Sequence, residues 1–278
     1  DAKFFFENDR KKTLEGHRDD LTRINYQEGM GDMRDKADRL RKLTEAIGKD
    51  WDFTAEEAAD ADRAAFLSKS DLATGMVTEF TELQGEMGKE YALLDGEKPE
   101  VAKAIFEQYM PRFAGDILPE QEIGRALSLA DKLDNLAATF LRGLIPTGSQ
   151  DPFALRRQTI GAVNILTDGK IHWDIRRGIE AALALLPGDE ETKKTVLSQI
   201  EDFFRQRIKA IMLDEGIAYD IIDAVLAGPV DDIYALFLKA RSMAESQLKG
   251  EADLRQAVTR LANITKGKTG GKVDPSLF

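Results

Sequence analysis

Apolar residues recur along most of this chain at steps of three and four, the spacing that gathers side chains on one face of an α-helix. Over Arg125–Phe140 the positions Leu129, Leu133, Leu136, Ala137 and Phe140 form such a stripe. Thr195–Leu213 repeats it with Val196, Ile200, Phe203, Phe204, Ile211 and Met212, and Val101, Ile105 and Tyr109 make a third. Helix punctuation agrees. Thr54 followed by Glu57 reads as a capping box, and Pro99 and Pro152 suit a first helical turn, the second capped by Asp151. Pro187-Gly188 and Gly228-Pro229 are breaks. No alternating apolar–polar run argues for a sheet. The pattern predicts an all-α protein of about ten helices. A boundary is expected at Thr167–Lys170, where Asp168-Gly169 separates two helical patterns, and periodicity fades from Lys266 onward, as in a tail.

With 278 residues, 42% of them hydrophobic, there is enough apolar material for a packed core. No apolar run approaches the ~20 residues needed to span a bilayer, so no membrane role and a cytoplasmic location are expected. The first residue is aspartate, with no signal-peptide pattern after it, and this reads as an excised fragment. The net charge of −11 disfavours a generally basic face for nucleic acid, though a local patch is compatible with it.

The residue inventory removes several chemistries. There is no cysteine, and His17 and His172 are the two histidines, neither in a recognisable nucleophile context. His172 beside Trp173 reads as structural. Gly267-Lys268-Thr269 lacks the glycine a phosphate loop needs at position 262, where Ala262 stands. What remains is polar material that a core does not require. Asp131 and Asp134 share one helical face and are expected to be solvated or paired with Lys132 and nearby cations. The stretch Pro146–Arg157 is a turn, a helix start and two arginines, which serve either as surface residues or as phosphate contacts.

Longer strings carry more. KSDLATGMVTEFTELQGEMGKEYA (Lys69–Ala92), VAKAIFEQYMPRF (Val101–Phe113), LSLADKLDNLAATF (Leu127–Phe140), PTGSQDPFALRR (Pro146–Arg157), the opening DAKFFFENDRKKTLE and IAYDIIDAVLA (Ile217–Ala227) resemble, in order, the bacterial glycyl-tRNA synthetase beta subunit. The resemblance implies a piece of that subunit, from its middle towards its C-terminal end. It also implies an alpha2/beta2 enzyme. The alpha subunit would use ATP and Mg to attach glycine, and this chain would bind and position the glycine tRNA, with no catalytic residue and no cofactor of its own. Residues 1–167 would be a degenerate helical domain similar to the His–Asp metal phosphohydrolases. Residues 168–278 would be a second helical region leading into the start of an anticodon-binding-like domain, truncated here.

Within that resemblance Asp71 and Asp131 match the superfamily's metal-holding aspartates. Ser70 stands where its paired histidine would be, and no histidine lies near Gln27-Glu28. Both aspartates are therefore expected to be vestigial and structural, with no metal. Arg112, Lys132, Arg142, Arg156 and Arg157 are the candidates for tRNA phosphate contact. Phe203, Phe204 and Tyr219 are expected in the core rather than stacked on bases. Two rival readings follow from the same residues: an active metal-dependent phosphohydrolase, and a purely structural module that binds the alpha subunit.

Overall fold

The computed structural model describes residues 2–248 and residue 259. Among these are thirteen α-helices, three short 3-10 turns and no strand. In chain order the helices are α1 (Ala2–Asp9), α2 (Leu14–Arg18), α3 (Met33–Asp50), α4 (Ala55–Leu67), α5 (Gly75–Glu79), α6 (Glu86–Leu94), α7 (Pro99–Glu107), α8 (Glu122–Leu141), α9 (Leu155–Asp168), α10 (Ile175–Ala184), α11 (Glu190–Asp214), α12 (Tyr219–Val225) and α13 (Ile233–Leu248). The Gly267-Lys268-Thr269 string and the tail from Lys266 lie outside the described residues.

Short polar side chains set the helix starts. Thr54 and Glu57 form the expected capping box on α4, and Asp32 with Asp35 forms another on α3. Pro99 opens α7, where its missing N–H costs nothing. The start of α9 differs from expectation. Ala154 takes a left-handed conformation, with φ of 53°, so the helix begins at Leu155 and Pro152 lies in the turn before it. Asp151 still caps it, accepting from the backbone N–H groups of Leu155 at 2.8 Å and Arg156 at 2.9 Å. Tyr109 falls beyond the end of α7 rather than on its stripe.

Helix α8 is the axis of the fold. It packs against α3, α4, α7, α9, α10 and α11, and it is buried on all sides, not along one stripe. Leu127, Leu129, Leu133, Leu136 and Phe140 fill its surroundings, and Phe140 meets Phe203 of α11 edge-on at 5.3 Å. The apolar core continues from Leu14 to Ala240, across Thr167–Lys170. Phe203 and Phe204 are in it, as expected. Tyr219 is not: it stands 59% exposed at the start of α12, with the Lys209 ammonium 3.9 Å from its ring centre. No helix among the described residues is long and apolar enough to cross a membrane.

Polar ties lock the periphery to this core. Asp9, at the end of α1, accepts from the N–H groups of Gly75 and Met76 and from the Tyr91 hydroxyl, so a buried carboxylate anchors the first residues of α5. His17 bonds the Asp9 carbonyl oxygen through Nε2 at 2.9 Å. His172 bonds Asp232 through Nδ1 at 2.7 Å and packs at a tilt against the Tyr234 ring, tying the approach to α10 to the start of α13.

Candidate functional site

Because α8 is surrounded, its charged residues must find partners inside the protein. The interior of α3 and the turn after α4 supply them. Lys36 of α3 places its ammonium 2.9 Å from Asp131 Oδ1, 2.9 Å from Asp134 Oδ2 and 2.8 Å from Asn135 Oδ1. Arg39 donates from Nε to Asp134 Oδ1 at 2.6 Å and from an Nη to Oδ2 at 3.2 Å, a bidentate grip. Lys69, held by a left-handed backbone with φ of 66°, donates to Asp131 Oδ2 at 3.0 Å. The rings of Tyr26 and Tyr109 cover the Lys36 and Lys69 ammoniums at 4.6 and 4.1 Å.

Charge balance decides the protonation states. Burial would raise the Asp131 pKa, but Lys36, Lys69 and Lys132 hold it far below the usual carboxylate range. Burial would likewise lower Lys36, and Asp131 and Asp134 hold it above its ordinary value. For Lys132 the compensation falls short. Burial, aided by Lys69 and Lys36, pushes it down to about 7 against the pull of Asp131. Its ammonium donates to the Met110 carbonyl and to Ser128 Oγ, both at 2.7 Å. At 3% exposure it cannot reach a phosphate, and Lys132 leaves the set of tRNA-contact candidates.

Asp71 and Asp131, the two positions matched to metal-holding aspartates, do not converge on a common point. Asp71 turns to the N–H of Gly85 at 2.7 Å and the Tyr109 hydroxyl at 2.9 Å, and burial raises its pKa. Both oxygens of Asp131 face lysine ammoniums. Two fixed positive charges stand where a cation would sit, and among the described residues no three metal-ligating side chains come together. The donor set does not fit a metal. Asp131 and Asp134 are paired with cations, as the sequence suggests, but the partners are Lys36, Arg39 and Lys69, not Lys132.

The arginine candidates behave differently. Arg156 and Arg157, at the start of α9, have no ion-pair partner among the described residues. Arg156 donates to the Gly148 carbonyl at 2.7 Å, and Arg157 only grazes the Arg112 carbonyl at 3.4 Å. Arg112 therefore lies beside Arg157, although its own guanidinium is taken by Asp116 at 2.9 Å. Arg142 faces Glu28 at 3.5 Å and joins none of the others by a contact among the described residues.

A further arginine, Arg207 of α11, comes to this place without any signal in the sequence. It too lacks an ion pair among the described residues and rests over the Phe203 ring at 4.0 Å. Burial lowers its pKa, and the nearby charge of Arg156 adds to that. The packing of α9 on α11 is what unites residues some fifty positions apart. Next to them a cavity of about 360 Å³ opens between the Pro111–Ala114 turn and the first turns of α9. The exposed ring of Phe113 stands on its rim.

The chain resembles known proteins over its whole length. Residues 1–227 match the family model described as glycyl-tRNA synthetase beta subunit. The glycine–tRNA ligase beta subunit of Clostridioides difficile is 45% identical over 279 aligned positions, covering 100% of this chain and 40% of that protein. The same subunit of Desulforamulus reducens is 43% identical, covering 98% of this chain and 40% of the relative, and that of Halothermothrix orenii is 42% identical, covering 100% and 41%. The chain thus spans about two fifths of the length of these curated relatives. With the match covering most of its residues, this chain belongs to the glycyl-tRNA synthetase beta subunit family.

Proposed function

We propose that this chain binds and positions tRNA for glycine attachment, while an alpha subunit using ATP and Mg carries out the bond-making step in an alpha2/beta2 enzyme. The observation that carries this reading is the grouping of Arg156, Arg157 and Arg207, arginines with no ion pair among the described residues, on a chain whose other described arginines are nearly all neutralised. In a protein of net charge −11 a carboxylate is rarely far away, so an uncommitted arginine group stands out as a place for an external anion. Planar guanidinium groups suit phosphate oxygens, and such contacts fix the position of a nucleic acid without reading its sequence. Acidic surface elsewhere is screened beyond ~8–10 Å at physiological salt.

The buried ion cluster supports the same division of labour. Its lysines neutralise the aspartates from within, which speaks for a scaffold rather than a phosphohydrolase. Binding of a glycine tRNA and a non-cognate tRNA across a salt series tests the proposal. Steeply salt-dependent binding of both is expected for backbone contact, with cognate preference if this part of the subunit also reads sequence. Absence of binding to either would remove tRNA positioning from this chain and leave the structural-module reading.

A further inference from the structure

The cavity beside the arginine group carries a more specific assignment, which rests on the tRNA reading. We infer that it receives one unpaired nucleotide of the bound RNA, its base lying against Phe113 and its edge met by the side-chain amide of Asn164. The volume of about 360 Å³ lies at the low end of the ~300–1,000 Å³ typical of small-molecule pockets, room for a single base and no duplex. Its walls are mixed in the way a nucleotide requires. Pro111, Phe113 and Ile160 offer apolar surface, and Arg156 and Arg157 stand at its edge. Phe113 is 53% exposed, with the Arg112 guanidinium 5.6 Å from its ring centre, so the rest of the ring is available for stacking rather than spent on the core.

Asn164 supplies the polar feature. It lines the cavity from α9, is half-buried, and its amide has no hydrogen-bond partner among the described residues. An amide presents a donor and an acceptor side by side, the pattern that pairs with an adenine edge. Asp151 also lines the cavity, but both of its oxygens accept from the backbone of Leu155 and Arg156. Asp151 keeps its negative charge, and Arg156 and Arg157 together outweigh it, so the cavity lining is net positive. The guanidinium groups take the phosphate of the nucleotide and its neighbour, and the cavity takes the base.

Fluorescence anisotropy of a labelled glycine tRNA transcript with the 278-residue chain tests this, using Phe113→Ala, Asn164→Ala and Ala114→Trp. Ala114 is exposed and lines the cavity, so tryptophan there fills it without entering the core. Loss of a stacked base is expected to weaken binding about tenfold. The slope of log Kd against log salt stays unchanged, because every phosphate keeps its cationic partner. If these three variants bind as the parent does while Arg156→Ala/Arg157→Ala binds more weakly, the cavity assignment is overturned and the phosphate reading stands. If all of them bind as the parent does, both fall. Titration with AMP and CMP separates the sources: saturable binding of a free nucleotide at ~10 μM or below would make the mononucleotide the occupant and overturn the RNA assignment.

Discussion

Around α8, Lys36, Arg39 and Lys69 spend their charge on Asp131 and Asp134, whereas at the start of α9 Arg156 and Arg157 have no acidic partner among the described residues. The first set is buried and joined by close ion pairs between helices. The second is at the surface and held only by weak or backbone contacts. The same kinds of side chain therefore do different work according to whether a carboxylate of this chain already answers them. In the interior, the ion network fixes the register of α3 and the Lys69 turn against α8, and the aspartates cannot leave it cheaply. At the surface, leaving the cations unanswered has little stability cost and keeps them available to an external anion.

The largest effect expected from breaking this contrast is on the interior. Asp134→Ala leaves the buried Arg39 without a carboxylate and Lys36 with Asp131 alone. It is expected to cost about 3–5 kcal/mol in denaturant unfolding. Asp131→Asn retains the shape but not the charge and is expected to cost less, about 1–3 kcal/mol. An Asp131→Asn protein with unaltered unfolding would contradict a structural role for this cluster.

Lys132 is an interior cation with no full partner. Its pKa is pushed down to about 7 from an ordinary 10.5, so in the window between these values the unfolded chain holds a proton that the folded chain has shed. Stability from this group therefore rises as pH increases through that window. Burial lowers Lys69 as well, with the same sign. Lys132→Met is expected to stabilise the fold by about 1–2 kcal/mol at neutral pH and to flatten that rise. Ser128 Oγ, 2.6 Å from the Met110 carbonyl, still donates to it in the variant. Its tRNA affinity is expected to be unchanged. Melting curves from pH 6.5 to pH 9.5 check the first part, and a binding titration checks the second.

The surface set has the smallest expected effect on stability. Arg156→Ala/Arg157→Ala should change unfolding by no more than about 0.5 kcal/mol.

Much of the fold is readable from the chain because α4, α7, α8 and α11 are amphipathic or capped by short local signals, such as Thr54 with Glu57. The short helices α2, α5 and α12 span fewer than two full turns of pattern and are not separable from turns. The site is less legible, for two physical reasons. The partners of Asp131 and Asp134 come from Lys36 and Lys69, on elements about 60–100 positions away, and no local spacing announces them. An apolar stripe also shows which face of a helix is buried, but not that α8 is buried all round, which is why Lys132 reads as surface and is not. At the arginine group, Arg112, Arg156 and Arg157 stand out in the sequence, whereas Arg207 joins them only through the packing of α9 on α11. Tyr219 goes the other way. Its apolar neighbours Ile221 and Ile222 face the core, and its place at the first position of α12 turns it to solvent.

Whether the arginines at the start of α9 hold tRNA is decided by the salt dependence of glycine tRNA binding for the parent chain and for Arg156→Ala/Arg157→Ala. If these side chains answer phosphates, the double variant binds more weakly at low salt, and its slope of log Kd against log salt is shallower by about 1.4–1.8, since two phosphates go unneutralised. An unchanged slope and affinity would show that the uncommitted arginines are ordinary surface residues and that any tRNA contact lies elsewhere.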